Sequence, residues 1–257
     1  MMSRIGVNNI RAALRKIADY YLQYPDRDLA IDAAFVRVRG FTKELADEYE
    51  AFFIPEMDEW TGSEPKEIFN PEVGLCTNEG FCKFHGRIVF PLKNVDGDII
   101  SFLGWDPTIP NVKYMDLVCY GHSNNAWSLY GAQFLPQALK DEKSPVFFVE
   151  GSMCQMYAHS KGFHAFATLG SKFTAMQFAL VNRLGQRAIY IIDSDEAGYK
   201  YKARMQEFCP NASFYSVVKG KDLDGCRRVS KELENKLLDE MRTIIDFPFA
   251  NEVLIPV

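Results

Sequence analysis

The pattern of apolar runs and chain breakers predicts an α+β N-terminal subdomain joined to an α/β, Rossmann-like subdomain with a mainly parallel sheet and a short helical tail. Three observations lead there. Past Pro145 the rhythm becomes strand, helix, strand, helix, punctuated by Gly151, Gly162, Gly170, Gly185 and Gly198, and that alternation calls for a parallel sheet with helices on its faces. Upstream, residues 86–104 read as strand, turn, strand, the pattern of an antiparallel hairpin. Near the end, Val229 to Ile245 repeats apolar residues at helical spacing. The expected divisions are 1–140 for the α+β part, 141–228 for the α/β part and 229–257 for the closing helix and tail.

Taken in order, residues 8–22 and 43–53 mix apolar and charged positions at helical spacing, with Pro25 and Pro55 marking their ends. Gly86 to Leu92 and Ile99 to Gly104 are strands joined by a turn built on Asp96-Gly97. Asp106-Pro107 to Pro110 is a loop. Val146 to Glu150, Ala188 to Ile192 and Ser213 to Val218 are the apolar strands of the parallel sheet. The Val229–Ile245 helix closes the module, and Asp246 to Val257 is expected to pack back on it.

Composition suits a globular enzyme core. The chain has 257 residues, 47% of them hydrophobic and 25% charged, which is enough to bury a sizeable interior and unlike a disordered chain. No apolar run reaches membrane-spanning length, and Met1 to Gly6 lacks a signal-peptide core. The expected compartment is the cytoplasm, the host's if a phage encodes the chain. Six cysteines, at 76, 82, 119, 154, 209 and 226, are scattered and expected to be reduced thiols. Cys76, Cys82 and His85 have C-x5-C-x2-H spacing, read as a loop leading into the Arg87 strand because structural zinc takes four ligands, commonly in tighter pairs.

The net charge of −5 is unevenly spread. Residues 141–228 hold 12 Lys and Arg against 9 Asp and Glu, a local basic balance able to hold phosphates. The segment from Glu44 to Glu72 is the acidic extreme, with ten acids and one lysine, read as a solvated helix and loop.

The chemistry concentrates where strands end. Glu150 closes one apolar strand; another runs into Asp193-Ser194-Asp195-Glu196-Ala197-Gly198; a third leads to Lys221-Asp222-Leu223-Asp224. In a parallel sheet these C-terminal ends share one edge, where open α/β folds place ligands. Carboxylates one residue apart in an extended segment point the same way. Gathering Glu150, Asp193, Asp195, Asp222 and Asp224 is costly without a cation, and such oxygen ligands suit magnesium.

These motifs, with Val149-Glu150-Gly151 and the Ala167-Thr168-Leu169-Gly170-Ser171 turn, resemble a TOPRIM domain, a metal-dependent module of primases, topoisomerases, nucleases and recombination proteins. Upstream, Arg39-Gly40-Phe41, Gly86 to Leu92, Asp96 to Gly104, Lys113-Tyr114-Met115 and Leu129-Tyr130-Gly131, in that order, resemble the polymerase core of bacterial DnaG-type primases. The resemblance covers roughly residues 33–228.

It implies a DNA primase core that makes short RNA primers on a single-stranded DNA template from ribonucleoside triphosphates, by two-metal nucleotidyl transfer with Mg2+ or Mn2+. Asp193 and Asp195 would bind the ions, Asp222 and Asp224 would support them, and Glu150 would hold metal or take the proton of the attacking hydroxyl. Gly151 and Gly170 would admit ligand close to the backbone, or serve as ordinary turn glycines. Arg87 and Lys113 would contact template or triphosphate, with Lys221 and Lys172 as further cations. A zinc-binding module and a replicative helicase are the implied partners, supplied as separate polypeptides. Trp105 and Asn125 stand where the family's pattern has basic residues, and Trp105 would stack on a base or simply pack. A TOPRIM nuclease and a non-catalytic replisome subunit are the alternative readings.

Overall fold

The computed structural model describes residues 4–56, 62–77, 79–109, 114–119, 122–123, 129–169, 174–184, 187–193, 195–209, 213–216, 222, 224–225 and 231–246. Contacts divide the chain into units of residues 1–125 and 126–257.

In the first unit, α1 (Arg4–Leu22) buries Ile10, Leu14, Ile17 and Tyr21, positions 3 or 4 apart that make one apolar stripe. A short helix, α2 (Arg27–Ala30), runs into a wider π-helical turn (Ile31–Val36), and α3 (Lys43–Glu48) follows. Thr42 caps α3, its hydroxyl accepting the Leu45 N–H at 3.2 Å. The helical pattern expected over 43–53 stops early. Glu50 takes a left-handed φ of 51°, and the aromatic and β-branched run Phe52–Ile54 becomes strand β1.

An antiparallel sheet follows, in the order β1, β2 (Arg87–Lys93), β3 (Ile99–Trp105), β4 (Tyr114–Asp116). The Asp96-Gly97 turn joins β2 and β3, with Gly97 at φ 86°, a conformation that glycine adopts without a Cβ penalty. Pro91 lies opposite Phe102, past Val89 where the pairing with β1 ends, so its missing N–H breaks no ladder on that side. A small ribbon pairs β5 (Val118–Cys119) with β6 (His122–Ser123). One apolar cluster joins α1, β1, β2 and β3 through Tyr21, Phe52, Val89 and Phe102.

The acidic stretch is more than a solvated face. Glu50 pairs with Arg15 at 2.6 Å and Lys93 at 3.0 Å, Glu67 with Lys16 at 2.6 Å, and Asp47 with Arg27 at 2.7 Å. Its carboxylates therefore tie α3 and β1 to α1, α2 and the end of β2.

The second unit opens with Leu129-Tyr130-Gly131, whose Tyr130 exchanges backbone hydrogen bonds with Ala167 at 2.8 and 3.0 Å. Helix α4 (Leu135–Lys140) follows. Arg187 holds this region through its donors to the carbonyls of Ala138, Asp141 and Ser144 at 2.6–3.0 Å. Four parallel strands then lie in the order β10 (Ser213–Ser216), β9 (Ala188–Ile192), β7 (Val146–Val149), β8 (Ala165–Ala167). They alternate with α5 (Ser152–Ser160), α6 (Ala175–Leu184) and α7 (Glu196–Phe208). Strands β7, β8 and β9 are buried along their whole length, as parallel strands covered on both faces must be. The fold is thus the α+β and α/β combination that the sequence predicts. The tail, residues 247–257, lies outside the described residues.

Helix α8 (Lys231–Asp246) docks through a buried carboxylate. Glu234 accepts from the Tyr157 hydroxyl at 3.0 Å and Lys231 at 2.6 Å, and pairs with Lys161 at 3.2 Å. Burial disfavours its charge, but the hydrogen bonds from Lys231, Tyr157 and Lys161 outweigh it and hold the carboxyl at about 2. Because the folded value lies below the unfolded one of about 4.3, the stabilisation is complete above that pH and fades as the pH falls through 2. Glu234→Gln is expected to cost about 1–3 kcal/mol at neutral pH. In acid unfolding curves the gap between variant and parent should close below about pH 4.

Candidate functional site

Each strand of the parallel sheet delivers its last residue to the carboxyl edge. Val149 ends β7, so Glu150 emerges between it and the start of α5. Two backbone hydrogen bonds brace it there: Thr168 N–H to the Val149 carbonyl and Leu169 N–H to the Glu150 carbonyl, each 3.0 Å. Leu169 holds a left-handed φ of 56°, a conformation uncommon outside glycine that concentrates at functional turns. Leu169 entered the sequence reading only as part of the Ala167–Ser171 turn, since an apolar residue beside a turn glycine carries no signal of its own. Gly151 starts α5 in extended backbone, and a Cβ built there would meet no protein atom within 4 Å.

Asp193 follows β9 directly, and Asp195 is the N-cap of α7. The Asp195 N–H donates to the Asp193 carbonyl at 2.9 Å, and Asp195 Oδ1 accepts the Gly198 N–H at 2.7 Å. A tight turn into a capped helix, instead of a continued extended strand, therefore sets the two carboxylates. Gly198 has a steric role here: a Cβ on it would collide with the Asp193 carbonyl oxygen. Asp222 caps its own turn by accepting the Gly225 N–H. Asp224 is wholly buried, and its backbone N–H donates to the Cys154 thiol of α5.

Electrostatics show which carboxylates converge. Burial, then the charges of Asp222, Glu150 and Asp195, push the Asp193 carboxyl up to about 7. Burial and Asp195 raise Glu150 as well. Glu150, Asp195 and Asp222 thus all act on Asp193, with Asp195 exposed and the other three intermediate in exposure, while Asp224 is not among the groups acting on Asp193. Cys154, which sequence reasoning passed over, lies beneath this group and feels Asp222, Asp193 and Asp224. Among the described residues no three His, Cys, Asp or Glu side chains close into a ligand shell. The donor chemistry nonetheless fits a hard divalent cation: all four groups are carboxylates, and a cation would supply the counter-charge that Asp193 lacks among the described residues.

The remaining candidates belong to the first unit or fall outside the described residues. Arg87 starts β2 in the first unit and is 4% exposed. Lys113, Gly170, Lys172 and Lys221 fall outside the described residues, as does Asn125. Trp105 is fully buried in β3, with the Arg39 guanidinium 5.2 Å from its ring centre. Packing, not base stacking, is its part here.

Comparison with known proteins bears on the family and the fold. Residues 147–226 match the family described as Toprim-like. The DNA primase of Borreliella burgdorferi is 26% identical over 186 residues, which cover 68% of this chain and 35% of that protein; the chain thus spans about a third of that relative's length. A DNA primase domain from Pseudomonas aeruginosa superposes with a TM-score of 0.72 at 25% identity, covering 94% of this chain and 78% of that one. A DnaG primase catalytic domain bound to single-stranded DNA gives 0.74 at 22% identity, covering 94% and 83%. The fold is that of the DnaG catalytic core.

Proposed function

We propose that this chain is the catalytic core of a DNA primase, joining ribonucleotides into short RNA primers on single-stranded DNA. The observation that carries the reading is the group of four carboxylates at the carboxyl edge of the parallel sheet, inside the Toprim-like segment of a DnaG-core fold. The similar catalytic domain bound to single-stranded DNA supports a DNA template.

In this reading Asp193 and Asp195 hold the divalent ions, with Asp222 beside them and Asp224 supporting the turn from its buried position. Bound magnesium or manganese supplies charge neutralisation at the triphosphate and activation of the primer's 3′ hydroxyl. Glu150, whose carboxyl is raised by burial, binds an ion or accepts the hydroxyl proton, and a raised carboxyl is the better base. The open space at Gly151 lets a phosphate approach the start of α5. Lys113 is assigned to the template or triphosphate and Gly170 to close approach of ligand to the backbone; the same contact assigned to Arg87 requires its side chain, 4% exposed, to come out of β2 on binding. A replicative helicase and a zinc-binding module complete the proposed partners, in the cytoplasm.

The test is incorporation of labelled ribonucleotides on single-stranded DNA, with Asp193→Asn plus Asp195→Asn as control. Metal binding can be checked without turnover. Magnesium or manganese at about 100 times its dissociation constant should stabilise the native chain by roughly 2.7 kcal/mol, read as a rise in thermal midpoint. No such rise should occur in the double variant.

A further inference from the structure

Cys76 and Cys82 face each other across an antiparallel bridge. The flanking hydrogen bonds, Lys83 N–H to the Leu75 carbonyl at 3.0 Å and Thr77 N–H to the Phe81 carbonyl at 2.8 Å, are made by the neighbours and not by the cysteines themselves. The pair is therefore of the non-hydrogen-bonded type, in which opposite Cα atoms sit about 4.5 Å apart and side chains are closest. That spacing falls in the disulfide range of roughly 4.4–6.8 Å. Both residues are free thiols, and they are already hydrogen-bonded to each other. Among the described residues no third His, Cys, Asp or Glu joins them as a metal site.

We propose that Cys76 and Cys82 are a reversible redox couple that closes to a disulfide across this hairpin. The oxidant is a low-molecular-weight disulfide such as glutathione disulfide. Cys76 is the more exposed of the two and is the sulfur a small disulfide can reach; although its bond to Cys82 and burial push its thiol up, it attacks one sulfur of that disulfide as the thiolate. The small S–S bond breaks, a mixed disulfide forms on Cys76, and one small thiol leaves. The Cys82 thiolate then displaces the second small thiol and joins Cys76 Sγ to Cys82 Sγ. Two electrons pass from the cysteines to the oxidant, and the two cysteine protons leave on the two small thiols.

The surroundings suit Cys82 to the second step. The Cys76 hydrogen bond favours its thiolate, burial opposes it, and the N–H groups of Phe84 and His85 with the charge of Lys83 favour it further. The last three remain in place once Cys76 carries the mixed disulfide. Cys82 belongs to the same apolar cluster as Leu75, Phe84 and Val89, with Cys76 packed against it, so the bond ties together two arms that already meet at that cluster.

The test equilibrates the full chain in glutathione and glutathione disulfide buffers, quenches with acid, alkylates, and maps peptides by mass. The expected result is one intramolecular link between Cys76 and Cys82, reversed by dithiothreitol and absent in Cys76→Ser and Cys82→Ser. The oxidised native chain should also melt higher by on the order of 5 °C. Full alkylation of both thiols in the most oxidising buffer would overturn the proposal. So would a glutathione adduct that persists on Cys76, or a link from either cysteine to a different one. Mapping on the native chain decides the matter even if a variant fails to fold.

Discussion

Replacing Asp193 and Asp195 together by asparagine is expected to lower template-directed RNA synthesis by about 10³-fold or more, the scale seen when charge stabilisation at a reacting centre is removed. Asparagine is the informative choice. It keeps the shape of both side chains, and at Asp195 it keeps an oxygen that can accept the Gly198 N–H, since asparagine caps helices about as well as aspartate. The loss should therefore appear without unfolding. In the absence of metal the variant should melt no lower than its parent at pH 8. The folded Asp193 carboxyl titrates near 7, well above the unfolded value of about 3.9, so its charge opposes folding increasingly as the pH rises between those values. Removing that charge relieves the penalty. Activity measured beside thermal unfolding at pH 8 separates a chemical loss from a structural one.

Gly198→Ala should do the reverse and damage the structure first. The new methyl would collide with the Asp193 carbonyl oxygen, and its next neighbours, the Asp193 carbonyl carbon and Ile192 Cγ2, are each at 3.0 Å. Backbone cannot swing aside as a flexible side chain can, so α7 must shift away from β9. A cost of about 2–4 kcal/mol is expected, at and above the upper end for overpacking. The shift also pulls the Asp195 cap away from Asp193, and activity should fall with stability. Gly151→Ala is the matched contrast. No protein atom lies within 4 Å of its Cβ, so its stability should change by less than about 1 kcal/mol. Any loss of activity there would report a ligand passing close to the backbone.

How much was readable in advance follows from the range of each interaction. The strands ending at Val149 and Ile192 were legible because buried parallel strands are short apolar runs with turn signals at their ends. Their shared edge then follows from the topology of parallel sheets, and it brought Glu150, Asp193 and Asp195 into view. What escaped was set by packing in the third dimension. Asp224 reads like its neighbour Asp222, yet it is buried beside Cys154. Leu169 looks like an ordinary turn residue until its φ and its bond to the Glu150 carbonyl are seen. The stretch after α3 keeps a helical spacing, but Glu50, held by Arg15 and Lys93 from distant elements, lies where the chain turns into strand. The acidic run from Glu44 to Glu72 could not be explained locally because its partners, Arg15, Lys16, Arg27 and Lys93, lie outside it. Trp105 could have stacked on a base or packed, and its complete burial under Arg39 decides for packing.

The most direct test of the central claim is synthesis from labelled ribonucleotides on a set of single-stranded DNAs with magnesium or manganese, run with and without candidate helicase and zinc-binding partners. Short RNA products that require template and metal should form, and they should vanish in the Asp193→Asn, Asp195→Asn variant. Absence of RNA products under every partner combination, or cleavage of the template in place of synthesis, would contradict that claim.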